Sequence, residues 1–244
     1  LEFSKKSSTS VEHVRSMTEA TNEITSLLCE CILKEKDIKK RCILIKYFIT
    51  LGSHLLQLKN FNSLMPIVGA LNSSMVARLK KTWGLLPPKF QANFANLRKA
   101  TDHSKNYAIY RNVLKMSMPP CLPFLGICLT DLTFTDEGNA AFKDDAHKKQ
   151  INFAKYYRTV AIVQEIQKFQ VPYNLIEVRE LQTRLKSWMK SSNAAWDEDS
   201  FYNISLQLEP RNSNQPALTV RSRSQSDDTV GKTGNLNLVS QAYF

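Results

Sequence analysis

Glycine and proline are scarce in this chain, at 7 and 9 of 244 residues. An all-β fold needs a turn roughly every 8–12 residues, so this shortage of breakers excludes one. Cysteine is scarce too. Cys29, Cys31, Cys42, Cys121 and Cys128 are odd in number and contain no C-x-x-C pair. That excludes a disulfide framework and fits a reducing, cytoplasmic setting. Cys29 and Cys31 stand too close for the usual zinc pair and point about 200° apart on a helix, so both read as small core fillers. Four scattered histidines, His13, His54, His103 and His147, form no H-E-x-x-H, and no G-x-S-x-G is present. Asp144-Asp145 is an adjacent acidic pair, not a spaced catalytic one. Hydrolase, kinase and metalloenzyme chemistry therefore have no support, and neither a metal nor a cofactor is expected. No apolar run reaches the ~18 residues of a membrane span. Acidic residues are outnumbered, 22 against 33 Lys and Arg, for a net charge of +11. Such a surface favours acidic partners or simply keeps the protein soluble.

The chain begins at Leu1 rather than Met, as a fragment would. Residues 1–12 open with LEFSKKSSTS and read as a flexible leader. The segment 212–244 is rich in Ser, Asn, Gln and Thr and too poor in aliphatic residues to offset its ordering entropy. From Arg211 onward, four basic residues face Asp227 and Asp228, so +9 of the +11 belongs to the body. Val230-Gly231-Lys232-Thr233 is not a phosphate-binding loop, because Ser226 stands where that loop needs a glycine and no buried strand precedes it.

Between the ends the signal is helical. Ile38, Cys42, Ile45, Ile49, Gly52 and Leu56 make one stripe, with Leu44, Phe48, Leu51, Leu55 and Leu58 beside it. This predicts a central core helix capped by Asp37. Asn62 is placed to cap a second helix and Ser104 another, while Pro88 suits a first helical turn. A long helix is expected from about His147 to Gln170, with Phe153, Tyr156, Val160, Val163 and Ile166 on one side. Segments near 175–190 and 197–207 close the body. The prediction is an all-α bundle of about nine helices. Basic clusters such as Lys34–Arg41 and Arg78–Lys81 suit a solvated helix face as well as they suit nucleic acid.

Ordered motifs then narrow the reading. Asn60-Phe61-Asn62-Ser63-Leu64 leads to Gly69-Ala70-Leu71-Asn72-Ser73-Ser74 and Arg78-Leu79. Lys81-Thr82-Trp83, Asn106-Tyr107 and Tyr110-Arg111 follow. Next come Pro119-Pro120-Cys121-Leu122-Pro123-Phe124-Leu125-Gly126, Leu129 to Phe134, Glu137-Gly138-Asn139, Ile151 to Lys155, Pro172-Tyr173 and Leu208-Glu209-Pro210-Arg211. In this order they resemble the catalytic domain of Ras-type guanine-nucleotide exchange factors, of the son-of-sevenless kind, over 13–211. The family's opening helical block, a Leu-Thr followed by Phe-x-x-Ile, has no counterpart before Val11, so an N-terminally truncated domain is expected.

The resemblance implies a catalyst that makes and breaks no covalent bond and needs no cofactor. Its partner would be a Ras-like small GTPase, not nucleic acid. The factor would act as a monomer, meeting membranes only where its GTPase is anchored. It also implies a protruding helical hairpin starting near Leu129 and returning to about Gln164. Glu137 would offer a carboxylate where phosphate had been, and Thr133 would crowd the magnesium site. Met65, Asn72, Tyr107 and Phe124, with Arg158 on the return helix, would bind the GTPase. Two other classes stay open on the residues: a catalytically inactive scaffold holding a GTPase or a membrane surface, and a basic nucleic-acid-binding helical protein.

Arg221-Ser222-Arg223-Ser224-Gln225-Ser226 places two arginines ahead of serines, as basic-directed kinases favour; an incidental Ser-rich end is the alternative. Each phosphate would add about −1.5 to −2 charges, so phosphates at two sites would reverse the sign of the tail. Regulation predicts that the phosphorylated chain differs from a chain ending at Arg211 in exchange rate or liposome binding. Equal values on both measures for these two and for the unphosphorylated full chain would mark the tail as inert.

Overall fold

The computed structural model describes residues 11–143, 150–193 and 198–211. Residues 1–10 of the expected 1–12 leader, the tail over 212–244 and the helix start at His147 lie outside the described residues. Among those described, eleven helices and no strand occur: α1 (Glu12–Lys34), α2 (Ile38–Gln57), α3 (Phe61–Asn72), α4 (Ser74–Ala77), α5 (Lys80–Gly84), α6 (Pro88–Ala100), α7 (Ser104–Lys115), α8 (Leu125–Glu137), α9 (Phe153–Gln167), α10 (Arg179–Asn193) and α11 (Glu198–Leu208). The all-α class is as expected. The count exceeds nine because α4 and α5 are about one turn each, too short to show a hydrophobic period. The first helix also starts at Glu12, inside the expected leader.

The most buried helix is α3, not α2. Phe61 and every residue from Leu64 to Leu71 are buried. Its sequence, FNSLMPIVGALN, contains no charged residue, and a helix apolar all round belongs in a core. Helices α1 and α2 pack against it. On α2, Cys42, Ile45, Phe48, Ile49 and Gly52 face inward, but Ile43 and Tyr47 lie 57% and 62% exposed, so one side of that helix is open to solvent. A Cβ on Gly52 would come within 2.7 Å of Leu97 Cδ1, which shows how closely α2 approaches α6.

The caps divide between expectation and correction. Asp37 accepts hydrogen bonds from the amides of Lys39 at 2.8 Å and Lys40 at 2.9 Å. Pro88 occupies the first turn of α6. The cap of α3 is Asn60, whose Oδ1 accepts from Ser63 N at 3.0 Å. Asn62, two positions past the cap, instead accepts from Leu125 N at 3.3 Å. Ser104 does not cap α7. Lys105, Asn106 and Tyr107 adopt left-handed angles, with φ of 52°, 55° and 57°, and right-handed geometry begins only after them.

The chain just past α11 meets α2 and α5 in a buried clasp. Glu209 accepts from Lys81 N at 2.8 Å, Thr82 N at 2.9 Å and the Thr82 hydroxyl at 2.7 Å. Arg41, 1% exposed, approaches the same carboxylate at 3.6 Å. It also donates to Thr82 Oγ1 and to the carbonyls of Glu35 and Lys36. Arg78 adds donations to the carbonyls of Ser205 and Glu209. Arg41 and Glu209 are therefore each hydrogen-bonded where water is excluded. Glu209→Ala would strand Arg41 as a buried cation, and the expected loss is about 3 kcal/mol of folding free energy. Denaturant unfolding of the variant reads this; a loss below about 0.5 kcal/mol, the range of an ordinary surface substitution, would show that the clasp is not structural.

Candidate functional site

Helices α8 and α9 pack on each other and form the expected hairpin. It starts at Leu125, four residues earlier than expected. The last buried residue of α8 is Leu129, so the helix leaves the body there. The return helix α9 ends at Gln167, and its one buried residue is Lys155. Phe153, Tyr156, Val160 and Val163, expected on an apolar side, are 73%, 46%, 51% and 39% exposed. The periodicity is real, but among the described residues nothing covers these four side chains.

The root of the hairpin is fixed by backbone and side-chain bonds together. Leu122 N donates to Lys59 O at 3.0 Å, and Phe61 N donates to Leu122 O at 2.9 Å. Phe124 N donates to the buried Tyr110 hydroxyl at 3.0 Å. Burial raises the Tyr110 pKa, keeping that hydroxyl neutral. Its ring meets Phe61 edge-on at 5.1 Å. Asn62 receives Leu125 N, as above. Phe169, buried beyond the end of α9, and a hydrogen bond from the Tyr173 hydroxyl to Leu58 O at 2.8 Å secure the returning strand of chain.

At the far end the two helices are tied by Lys155. Its Nζ donates to Asp136 O at 2.9 Å and pairs with Asp136 Oδ1 at 2.7 Å. This bond holds the Asp136 carboxyl below the usual range. Glu137 ends α8 and is exposed. A Cβ at the next residue, Gly138, would lie 2.7 Å from Phe134 O, so the turn after Glu137 has no room for a side chain there. Arg158 donates to Asn139 Oδ1 at 3.4 Å, beside the same turn. Thr133 lies one turn before Glu137, and its hydroxyl donates to Leu129 O at 3.0 Å.

Between the hairpin root and the body lies a cleft of about 460 Å³. Met17, Thr18 and Thr21 of α1 form one wall; Tyr107, Phe124, Leu129, Thr133 and Phe134 contribute to the rest. Burial raises the Tyr107 pKa, so its hydroxyl stays protonated at neutral pH. The structure thus brings Tyr107, Phe124 and Thr133 to one cleft, and Glu137 and Arg158 to the hairpin end.

Two expected contact residues are elsewhere. Met65 is 0% exposed; it sits on α3 between buried Leu64 and buried Pro66, where it fills the core. Asn72 is exposed at the C-terminal end of α3, eleven residues or about 16 Å along the axis from Phe61. Missed by the sequence reading were Arg111, Asp131 and Asn62 as site-building residues. Their partners lie 20 and 63 positions away, and no local period links residues so far apart.

Among the described residues no cluster of three or more His, Cys, Asp or Glu could hold a metal ion, and no helix is long and apolar enough to cross a membrane.

Comparison with known proteins by sequence points to one family. The profile of the RasGEF domain matches residues 1–157, which include the cleft walls, α8 and the start of α9. Cell division control protein 25 of Candida albicans is 37% identical over 238 residues, 96% of this chain and 17% of that protein. Ras guanine nucleotide exchange factor Y of Dictyostelium discoideum is 43% identical over 139 residues, 57% of this chain and 9% of that protein. Ras-specific guanine nucleotide-releasing factor 2 of Danio rerio is 32% identical over 191 residues, 78% of this chain and 15% of that protein. The chain therefore spans less than a fifth of the length of each of these relatives. With a family profile matching more than half of it, and its motifs placed on a rooted helical hairpin beside an apolar cleft, the chain belongs to the RasGEF domain family.

Proposed function

We propose that residues 13–211 form a guanine-nucleotide exchange domain that promotes GDP release and GTP loading on a Ras-like small GTPase. The observation that carries this reading is the rooted hairpin, with Thr133 and Glu137 one turn apart on α8 and the apolar cleft at its base. Relatives named as Ras exchange factors support the choice of partner.

The mechanism needs no covalent step. A GTPase holds its nucleotide through charged phosphates, a metal ion and mobile loops. A protein that binds the nucleotide-free form better than the loaded form shifts the population toward release. The hairpin end enters beside the nucleotide. Glu137 presents a carboxylate to the cationic and amide groups that phosphate leaves behind, a charge-assisted exchange of partners. Thr133, with its hydroxyl turned back onto its own helix, presents its methyl group as bulk where the metal ion stood. Arg158 and the exposed aromatic residues Phe153 and Tyr157 give the return helix a contact face. Tyr107 and Phe124 line a pocket for an apolar anchor of the GTPase. A wedge works only if its base does not yield, and the bonds at Leu122–Leu125 supply that rigidity. The domain acts as a monomeric catalyst in the cytoplasm, at the membrane that carries its GTPase, with no cofactor of its own and no nucleic-acid partner.

Release of fluorescent GDP from a panel of purified Ras-like GTPases tests the reading; no acceleration of any of them by the folded chain would overturn it. Glu137→Ala is expected to slow release about tenfold, or about 1.4 kcal/mol of transition-state stabilisation, with a smaller effect on docking to the loaded GTPase. Unchanged release by a folded variant would remove Glu137 from the mechanism.

A further inference from the structure

Arg111 has no part in the mechanism above, yet it touches both sides of the cleft mouth. Its Nη1 donates to Asp131 Oδ2 at 2.7 Å and its Nη2 to Asp131 Oδ1 at 2.9 Å, a two-point fork onto the outgoing helix of the hairpin. The same guanidinium turns toward its own helix start, where Nε donates to Asn106 O at 2.8 Å and Nη2 to Asn106 Oδ1 at 3.1 Å. Asn106 is the middle of the left-handed run Lys105–Tyr107. Three consecutive non-glycine residues at positive φ persist only where their surroundings hold them. Tyr107, the last of them, lines the cleft.

Position gives the fork its leverage. The root bonds lie at Leu122–Leu125, and α8 buries nothing past Leu129. Asp131 is six residues beyond Leu125, so a tie there resists rotation about the root by acting roughly 9 Å along the helix. An exposed single-point ion pair would add little. This one is bidentate, with side chains 33% and 24% exposed, and only a guanidinium can present that fork.

We propose that Arg111 is a positioning residue that locks the hairpin angle to the Tyr107 turn, so that the cleft is preset before the GTPase arrives. The proposal rests on the exchange function above. Without the fork the hairpin samples other angles, and only the fraction at the right angle binds. The apparent affinity falls by that fraction, while the complex, once formed, is the same. Arg111 therefore acts on KM and leaves kcat alone.

The test combines kinetics with a distance measurement on the chain without any GTPase. Spin labels attached through ketone-bearing residues at Lys99 on α6 and Ala161 on α9 report the hairpin angle and avoid the native cysteines. Asp131→Asn, Arg111→Leu and Arg111→Lys are each compared with the parent chain. The expected result is a broadened distance distribution in all three. Arg111→Leu should raise KM about tenfold, as for a competent fraction of about one tenth, with kcat within twofold. Arg111→Lys should resemble Arg111→Leu, since it keeps the charge but not the fork. The double variant Arg111→Leu/Asp131→Asn should be no worse than Arg111→Leu alone. A narrow distribution with unchanged KM in folded variants would overturn the proposal, as would additive losses in the double variant or a fall in kcat at constant KM. Asp131→Asn, nearly isosteric, keeps the test decisive where Arg111→Leu unfolds. If the parent chain releases nucleotide from no GTPase, the functional reading fails, while the distance measurement still decides whether the clamp exists.

Discussion

The fixed root of the hairpin is the constraint on which the rest of the site depends. Lys59, Phe61 and Asn62 at the start of α3 grip Leu122 and Leu125, and Tyr110 grips Phe124. Because α3 is the most buried helix of the body, the hairpin is fastened to the least movable element available. The bonds combine backbone amides with neutral side-chain acceptors, in surroundings where an unmade bond would be costly. The cleft follows from the same arrangement: Phe124 and Leu129 form its floor where the chain leaves the root, and α1 stands across from them.

Stability and function are drawn from different parts of the molecule. The body is closed by the Arg41–Glu209–Thr82 clasp and by a continuous apolar core from α1 to α11. The hairpin contributes little to that core and leaves aromatic and aliphatic side chains of α9 in water. Apolar groups exposed at this density suit the contact face proposed for the return helix. Lys155 and Asp136 hold the two helices together, so the exposed face keeps its shape without a core beneath it.

Burial pushes the Cys29 thiol up to about 12 and the Cys128 thiol up to about 11, so neither supplies a thiolate at neutral pH. The strongest interactions instead serve geometry. Arg41 and Arg111 each spend their donors on fixed acceptors, one in the body and one at the cleft mouth.

The helical class, the Asp37 cap, the Pro88 start and the hairpin with Glu137 and Thr133 on one face could be read from the sequence. The first three depend on residues within about one or two turns of each other, and local spacing carries that information; the hairpin and its two residues follow from the resemblance of the ordered motifs to the family. Tertiary structure decided the rest. Asn60 rather than Asn62 caps α3, because Asn62 is needed by Leu125 across the fold. The helix expected to begin at Ser104 starts with a left-handed run, held by Arg111 from the next turn and tied to α8. Met65 belongs to the core and Asn72 lies at the far end of its helix, away from the cleft. A hydrophobic period shows that a face is apolar but not what covers it. The same kind of stripe is therefore buried on α2 and exposed on α9, and only the placement of neighbours distant in sequence separates the two.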